Sequence, residues 1–495
     1  MFVVSVSLSK SVPRDADAVI VGLTQVSGTP ALVDLPSALE KDLTKRWGTS
    51  PLAVALDLGA KTKSGSTVIL PTAGGVRLVV VGLGDVDVTP EQVRRAVANG
   101  VRALARLEPA SPLHVVVSLD LVEPEVIKGA AEGALLGAYT YTKVGSEPDE
   151  LLRVVTVVSP STKLEAKDAV TAAVAIAAGV NQTRDWINTP ANILYPETFA
   201  AAAVATSKKA KLEVEVLDEK ALAKAGYGGI LAVGMGSERP PRLVRISYAP
   251  RGARNHLALI GKGITFDTGG INIKPGDSMY TMKCDMSGAA TVISAIQVIA
   301  ELGLKISVTV YAAMAENMPS GSAQRPSDVI TMYGGTTVEN YNSDAEGRLV
   351  MADALARAAE DKPDLLVDVA TLTGACVVAL GERTAGLMAS DDQTADRLLD
   401  AAEAAGEAFW QLPITDEVGD QLISKVADLR SGGHRWGGAL TAAAFLQRFT
   451  DGIDWAHLDI AGPAFNEKEP YDYVPSGGTG VAVRTLVALA QSLQG

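Results

Sequence analysis

The sequence predicts an α/β protein with two domains: a smaller N-terminal α/β domain, and a larger C-terminal domain with a mostly parallel or mixed sheet flanked by helices. The chain has 495 residues, more than a single core usually holds. Short β-branched runs alternate with helical patterns along most of its length. A long alanine-rich helical pattern is broken by Thr189-Pro190. We therefore expect domains at 1–165 and 191–495, joined by a helix over 166–190.

The first domain reads as strands separated by helices. The predicted strands are Met1–Leu8, Ala18–Leu23, Leu52–Leu58, Arg77–Leu83, Leu113–Leu119 and Arg153–Ser159, and the predicted helices include Pro90–Leu107 and Glu125–Tyr141. The strand at Arg77 ends in Gly-x-Gly, but Asp87 occupies the third glycine position of a dinucleotide-binding fingerprint. A nucleotide-binding module is therefore an alternative that the sequence does not support.

The second domain repeats this alternation with longer helices. The predicted strands are Leu212–Leu217, Arg242–Tyr248, His256–Ile260, Ile306–Ala312, Leu365–Ala370 and Trp455–Ile460, and a helix is predicted at Gly288–Leu302. Apolar strands separated by helices are typical of a parallel sheet that is covered on both faces.

Composition limits the function classes. Lys and Arg number 44 against 57 Asp and Glu, a net charge of −13, which argues against binding nucleic acid through its phosphates. The only cysteines, Cys284 and Cys376, cannot build a disulfide framework, which is typical of a reducing compartment. The N-terminus lacks a basic segment before its apolar run, and the longest Ala/Val stretch, Ala169–Val180, is too short to span a membrane. We expect a cytoplasmic protein.

The chemistry must rest on carboxylates. The chain contains no nucleophile elbow, no phosphate-binding loop and no zinc-binding His-Glu-x-x-His helix, and its four histidines are separated in the sequence. The first acidic segment is an apolar strand that we expect to run into a glycine-rich loop carrying Lys262, Asp267 and Lys274. Ligands gather at the carboxyl ends of strands in open α/β sheets. Taken alone, a plain turn with solvated charges explains this segment equally well.

Two further acidic segments lie at helix starts. Asp285 precedes the helix at Gly288, and taken alone it is better interpreted as a cap or a partner of the helix dipole; Cys284 beside it is expected to be a small buried residue. Asp344 and Glu346 precede Arg348 and another amphipathic helix. Four carboxylates converging in one domain would repel each other unless countercharged, and divalent cations supply that charge. A two-metal site of this kind hydrolyses amides without a protein nucleophile.

Several segments together resemble the leucine aminopeptidase family of cytosolic dinuclear metallo-exopeptidases. They are Gly261–Lys274, Met282–Met286, Asn342–Leu349, Asp368–Ala375 and Trp455–Gly462. Ser343 stands where this family more often has threonine, and the change keeps a hydroxyl. The first domain resembles the family only in size and α/β type. The resemblance implies that 191–495 is a dinuclear metallopeptidase catalytic domain.

The resemblance also implies a ligand set. Asp267 and Glu346 would bridge two divalent metal ions, Mn²⁺ or Zn²⁺ with Mg²⁺ or Co²⁺ as alternatives. Lys262 and Asp285 would complete one metal site, and Asp344 the other. The free α-amine of the substrate would bind a metal, so that one residue at a time leaves the N-terminus of a peptide.

Two cations would assist the reaction, and a small pocket would select the substrate. Lys274 would stabilise the oxyanion, and Arg348 would hold a bicarbonate ion that accepts a proton from the attacking water. The pocket for the first residue would be lined by Met282, Thr371, Gly374, Ala461 and Ala464. These are apolar or small side chains, which favour Leu and other uncharged residues. The family also implies a homo-hexamer whose active sites face an internal cavity.

Two alternatives remain. The same fold could additionally act as a DNA-binding regulator or scaffold, although the net charge of −13 argues against a nucleic-acid partner. A different dinuclear hydrolase, such as a phosphoesterase or amidase, is disfavoured by the lack of clustered histidines and by Lys262.

Overall fold

The computed structural model describes residues 4–70, 75–84, 88–148 and 150–494, in two compact units. The chain up to Asn181, together with Lys468–Ser476, belongs to the first unit, and the remainder belongs to the second. The division falls within the helix that we expected to join the domains, and the predicted domain limits stay a prediction. Asp87 lies outside the described residues.

The first unit is a sheet with helices. Its strands are β1 (Ser5–Ser9), β2 (Ala18–Val26), β3 (Thr29–Val33), β4 (Thr67–Leu70), β5 (Arg77–Gly84), β6 (Leu113–Ser118) and β7 (Leu152–Val158), and its helices are α1 (Ser37–Trp47), α2 (Pro51–Asp57), α3 (Pro90–Ala105) and α4 (Pro124–Gly137). The strand order is β1-β7-β6-β2-β5-β4, with β3 paired to β2. Helices α3 and α4 pack closely because Gly133 has no side chain. A Cβ at this position would lie only 2.4 Å from the Arg94 carbonyl oxygen.

One predicted strand in this unit is wrong. Residues 52–57 lie in helix α2 and Leu58 directly follows it, because Ser50 accepts a hydrogen bond from the Ala53 amide (3.2 Å) and Pro51 takes the first helical position. A serine cap followed by proline is a helix start. The other predicted strands and helices of this unit are present in its described residues, with ends shifted by a few residues.

Helix α5 (Leu164–Asn188) ends before Thr189-Pro190, as predicted. The strands that follow are β8 (Glu213–Leu217), β9 (Arg242–Tyr248), β10 (His256–Asp267), β11 (Ser307–Asn317), β12 (Val329–Thr331), β13 (Thr337–Glu339), β14 (Leu365–Ala370), β15 (Ala385–Ala389), β16 (Phe409–Gln411), β17 (Leu429–Arg430), β18 (Trp455–Asp459), β19 (Phe465–Asn466) and β20 (Gly477–Gly478). The helices are α6 (Pro196–Lys209), α7 (Glu219–Ala225), α8 (Gly228–Gly234), α9 (Gly276–Met279), α10 (Ser287–Glu301), α11 (Glu346–Glu360), α12 (Gly374–Leu380), α13 (Asp392–Ala405), α14 (Asp416–Asp420), α15 (Gly438–Gln447) and α16 (Val483–Ser492). A 3₁₀ turn covers Met282–Met286.

The central sheet of the second unit is mixed. Its order is β16-β15-β18-β14-β10-β11-β9-β8, and the inner strands β18, β14, β10 and β11 are mutually parallel. Strand β9 runs antiparallel to both β11 and β8, and β15 runs antiparallel to β18. The predicted α/β fold with two domains is confirmed. The carboxyl ends of the four inner strands meet at one edge, where the site described below lies.

Along the part of the chain that the structure describes, none of the helices combines the length and the apolar character that crossing a bilayer requires.

Candidate active site

Lys262 and Asp267 both project from β10, and the prediction that they lie in a loop is wrong. The strand extends to Asp267 because β11 pairs with it as far as Asn317. The two side chains are an odd number of residues apart, so a regular strand would place them on opposite faces. The β10–β11 register shifts between Ile264 and Phe266, and a bulge of this kind re-aims the side chains that follow it. Lys262 and Asp267 therefore reach the same cluster, 3% and 2% exposed.

Asp285 comes from the 3₁₀ turn and is buried. Its Oδ1 accepts a hydrogen bond from the Thr371 hydroxyl (2.7 Å), and its Oδ2 lies 2.8 Å from Lys262 Nζ. It does not cap α10, whose start has no side-chain cap, so the capping interpretation is wrong. Cys284 is buried as expected, and burial raises the pKa of its thiol to about 12.

Asp344 and Glu346 lie at the start of α11. Ser343 holds this segment against the loop after β10: its hydroxyl donates to the Gly269 carbonyl oxygen (2.8 Å) and accepts from the Asn272 amide (2.8 Å). Ser343 stands where threonine is more usual, and both of these hydrogen bonds use the hydroxyl that the two residue types share. Glu346 is 1% exposed, whereas the Asp344 side chain is 33% exposed.

The two lysines alternate with the four carboxylates. Lys262 Nζ lies 2.8 Å from Asp285 Oδ2 and 2.8 Å from Glu346 Oε1. Lys274, which follows β10 in a loop, places its Nζ 2.8 Å from Asp267 Oδ2 and 2.6 Å from Asp344 Oδ1. Ligand oxygens of Asp267, Asp344 and Glu346 lie within 4.8 Å of one another, close enough to hold one cation.

The donor set fits divalent metal ions. Glu346 Oε2 is buried and has neither a hydrogen bond nor an ion pair among the described residues, whereas Asp285 Oδ2 and Asp344 Oδ1 are paired with Lys262 and Lys274. Buried polar atoms are almost always satisfied, so the Glu346 oxygen indicates a missing partner. Carboxylate oxygens are the ligands that hard divalent cations prefer.

The pKa values of Glu346, Asp285 and Lys262 are all raised, for different reasons. Burial, followed by repulsion from Asp267, raises the pKa of Glu346, and burial also raises that of Asp285 despite Lys262. Burial alone would lower the pKa of Lys262, but Asp285, Glu346 and Asp267 outweigh it and raise that pKa. A divalent ion against the same carboxylates would act on Lys262 in the opposite sense.

Arg348 lies in the first turn of α11, and its guanidinium is deeply buried. Burial lowers the pKa of its guanidinium to about 10. Its Nη1 donates to the Ser431 carbonyl oxygen (2.8 Å), while its Nε has no hydrogen-bond partner among the described residues. The group is a fixed cation with donor capacity left over, which suits binding of a small anion.

The residues predicted to line a pocket come from three segments. Thr371 follows β14 and Gly374 starts α12, Ala461 and Ala464 follow β18, and Met282 starts the 3₁₀ turn. Thr371 is tied to the cluster directly, because its carbonyl oxygen accepts a hydrogen bond from Lys262 Nζ (3.0 Å). Ala464 is 1% exposed, so it contributes at most a wall behind the other residues.

Three residues organise the site: the prediction gave no role to Asn317 and Asp459, and it named Thr371 only as a pocket residue. Asn317 donates to Asp267 Oδ1 (2.8 Å) and to the Ser343 carbonyl oxygen (3.0 Å), and Thr371 orients Asp285. Asp459 accepts from the Leu372 amide (3.1 Å), the Thr373 hydroxyl (2.7 Å) and the Ala461 amide (3.2 Å), which joins two of the predicted pocket segments. All three residues lie at or just beyond the carboxyl ends of strands, and that position was the available signal.

Comparison with known families identifies the chain's relatives. The profile described as "Cytosol aminopeptidase family, catalytic domain" matches residues 181–487, and the one described as "Cytosol aminopeptidase family, N-terminal domain" matches residues 34–148. The chain belongs to the cytosol aminopeptidase family. Membership in the cytosol aminopeptidase family also confirms the resemblance drawn from the sequence.

Individual members of the cytosol aminopeptidase family match nearly the whole chain. A probable cytosol aminopeptidase of Cutibacterium acnes is 55% identical over 97% of this chain and 94% of its own length. One from Streptomyces griseus is 46% identical over 99% of this chain and 98% of its own length. Both matches therefore extend over nearly the whole of each chain.

Solved structures of similar proteins share the fold. The bottromycin maturation enzyme BotP in complex with Mn has a TM-score of 0.85 and 38% identity, covering 97% of this chain and all (100%) of that one. A mutant of tomato leucine aminopeptidase has a TM-score of 0.86 and 29% identity, covering 99% and 96%. The protein is a peptidase, which is a hydrolase. Its membership in the cytosol aminopeptidase family supports an aminopeptidase function. The acidic cluster and the manganese complex of the similar enzyme suggest divalent metal binding.

Proposed function

We propose that the protein is a metal-dependent aminopeptidase that releases Leu and other uncharged N-terminal residues by attack of a water activated at a two-metal site. The observation that carries this proposal is the convergence of four carboxylates with Lys262, in which the buried Glu346 Oε2 has no partner among the described residues. Asp267 and Glu346 would bridge the ions, Lys262 and Asp285 would complete one site, and Asp344 the other.

The proposed mechanism combines the chemistry of two bound metal ions with two cationic side chains, Lys274 and Arg348. When bound, two divalent ions, Mn²⁺ or Zn²⁺ in our proposal, supply an anchor for the substrate's free α-amine, polarise the scissile carbonyl and activate a water. Lys274 Nζ, at the partly open end of the cluster, donates to the oxygen on which negative charge develops. Arg348 would hold a bicarbonate ion, which would supply a proton acceptor for the reaction, and the Arg348 Nε without a hydrogen-bond partner among the described residues supports that role.

The pocket proposal rests on size and polarity. Met282, Thr371, Gly374, Ala461 and Ala464 offer an apolar, uncharged lining, so a charged first residue would lose its hydration without gaining a partner. We expect Leu and Met to be preferred. We further propose that the protein is cytoplasmic and assembles as a homo-hexamer, as its family resemblance implies.

The decisive experiment combines chelation with a blocked substrate. Protein stripped of metal should lose cleavage of leucine amide and regain it with Mn²⁺ or Zn²⁺. A peptide whose N-terminus is acetylated should not be cleaved, because it lacks the free amine. Equal cleavage of blocked and free peptides, or full activity after chelation, would contradict the proposal.

A further inference from the structure

A glycine-flanked loop between β17 and α15 carries an aromatic side chain that packing does not explain. Its sequence is Ser431-Gly-Gly-His434-Arg435-Trp436-Gly-Gly438. Trp436 is 77% exposed although a tryptophan side chain gains more than any other from leaving water. The guanidinium of Arg435 lies 5.3 Å from the ring centroid of Trp436, which restrains the ring without covering it.

The base of this loop is fixed beside Arg348. The Ser431 carbonyl oxygen accepts from Arg348 Nη1 (2.8 Å), and the Ser431 hydroxyl accepts from the Tyr341 amide (2.9 Å). Further along, Gln421 Oε1 accepts from the His434 amide (3.0 Å). The loop is therefore a rigid base with an exposed tip, and the tip is His434-Arg435-Trp436.

The far end of the loop lies against the predicted pocket. A Cβ added at Gly438 would lie 3.3 Å from the Cβ of Ala375, which directly follows Gly374. Trp436 precedes Gly438 by two residues, so their Cα atoms are at most about 7 Å apart. The loop thus runs from Arg348 to the segment beside the predicted pocket, and its exposed tryptophan lies within about 7 Å, Cα to Cα, of the residue that packs there.

The position of Trp436 indicates which part of a peptide substrate it could contact. On the proposed function, on which this inference rests, the first residue is held in the pocket by Gly374. The rest of the peptide must then leave the site over its rim. An exposed ring beside the pocket can stack against the second side chain of the substrate. Such aromatic contacts stabilise a complex beyond the burial of apolar surface.

We propose that Trp436, with Arg435 restraining it, is a specificity-determining residue that binds the side chain of the substrate's second residue and favours aromatic and large apolar ones. Kinetics on two dipeptide amides, Leu-Phe-NH₂ and Leu-Gly-NH₂, test this. The wild-type enzyme should have the higher kcat/KM on Leu-Phe-NH₂. Trp436→Ala should lower the ratio of the two kcat/KM values about fivefold to tenfold, mainly through KM for Leu-Phe-NH₂.

Two variants serve as controls. Trp436→Phe keeps an aromatic face and should retain most of the ratio. Trp410→Ala removes another exposed tryptophan, 65% exposed on β16 at the sheet edge, and should leave the ratio unchanged. Sedimentation of each variant should match that of the wild type.

Three results would overturn the proposal. In the first, the ratio of the two kcat/KM values stays at its wild-type value in Trp436→Ala, as it would if activity on both substrates fell equally. A changed sedimentation coefficient in Trp436→Ala would instead make the ring a contact between subunits. A wild-type enzyme that released leucine from neither peptide would overturn the proposed function itself, and this inference with it, which distinguishes the two failures.

Discussion

Lys262 and Lys274 differ in depth, and this separates their roles. Lys262 is 3% exposed between Asp285 and Glu346, whereas the Lys274 side chain is 17% exposed and extends from a loop. This difference supports the roles proposed for them, Lys262 as a metal ligand and Lys274 as a group that meets the substrate. The difference follows from the strand ending at Asp267 and leaving Lys274 beyond it.

Replacing Lys274 by Met should therefore impair chemistry without removing metal. We expect kcat to fall about 100-fold, as for the loss of one oxyanion donor, because the side chain keeps its length but not its charge. Elemental analysis should find the wild-type metal content, since Lys274 opposes cations at Asp267 and Asp344. A variant that lost its metal would show that Lys274 shapes the metal site and would contradict this role.

Thr371 orients Asp285, and removing its hydroxyl should weaken metal binding. The hydrogen bond of 2.7 Å fixes one carboxylate oxygen so that the other faces the cluster. Thr371→Val keeps the shape, and we expect about a tenfold loss of metal affinity, as is usual for groups that orient a ligand. Thr371→Ser keeps the hydroxyl and is the matched control. Calorimetric titration with Mn²⁺ measures the metal affinity of both variants. If Thr371→Val bound Mn²⁺ as tightly as Thr371→Ser, the proposed role of the hydroxyl would be refuted.

At this level the sequence revealed the charged residues but not their supports. Asp267, Asp285, Asp344 and Glu346 stand out because buried acids need a chemical reason. Asn317, Thr371 and Asp459 are ordinary polar residues, and only the three-dimensional pairing of β10 with β11 and of β14 with β18 brings them to the cluster.

Among the elements, β10 decides the geometry of the site. Its bulge turns Asp267 to the side that Lys262 faces, and no residue pattern in the sequence announces a bulge. The prediction ended this strand at Ile260 because glycines flank Lys262. In the structure Gly261 serves packing, since a Cβ there would lie 2.5 Å from Ala289 Cα. Glycine was interpreted as a loop signal where it marks a close approach of helix and strand.

Helix α11 also needs a glycine to reach the cluster. A Cβ at Gly347 would lie 2.6 Å from Lys262 Cε, so Gly347→Ala should push the lysine out of place. We expect a lower metal content and at least a tenfold lower kcat/KM on leucine amide. Gly276→Ala at the start of α9, where an added Cβ meets nothing within 4 Å, is the control. Metal content and activity equal to those of this control would refute the crowding argument.

For the molecule as a whole, the alternation of strands and helices predicted the fold class, because that pattern reflects burial along the entire chain. It could not predict that Lys468–Ser476 belongs to the first unit. That segment is short and polar, and its place depends on contacts with residues distant in sequence, such as the Tyr473 hydroxyl donating to Glu91 (2.9 Å).

An ionic cluster links three elements of the second unit and predicts acid sensitivity. Asp361 accepts from Tyr311 on β11, Arg245 on β9 (2.9 Å) and Arg357 on α11 (2.9 Å). Burial opposes the charged carboxylate, but these hydrogen bonds outweigh it and lower the pKa of Asp361 to about 2. Its ordinary pKa is about 3.9. The stabilisation is therefore present above pH 4 and is lost as the pH falls from there towards 2.

Asp361→Asn should lower the free energy of unfolding by about 1–3 kcal/mol at pH 6, because the charge-assisted hydrogen bonds weaken. The difference in thermal midpoint between wild type and variant should narrow at pH 3. Asp396→Asn, an exposed position on α13 with the same change of charge, should shift the midpoint little at either pH. A gap that stayed constant with pH would show that the ionised carboxylate is not the stabilising species.

The alternation of Lys262 and Lys274 with four acids has a consequence for how the protein matures. Each acid of the cluster lies within 2.8 Å of a lysine nitrogen of its own chain. Half of the acidic charge is thereby balanced before any ion arrives. On the proposed function, we therefore expect the polypeptide to fold before metal binds, so that synthesis and activation would be separate events and the supply of metal would set when the enzyme begins to work.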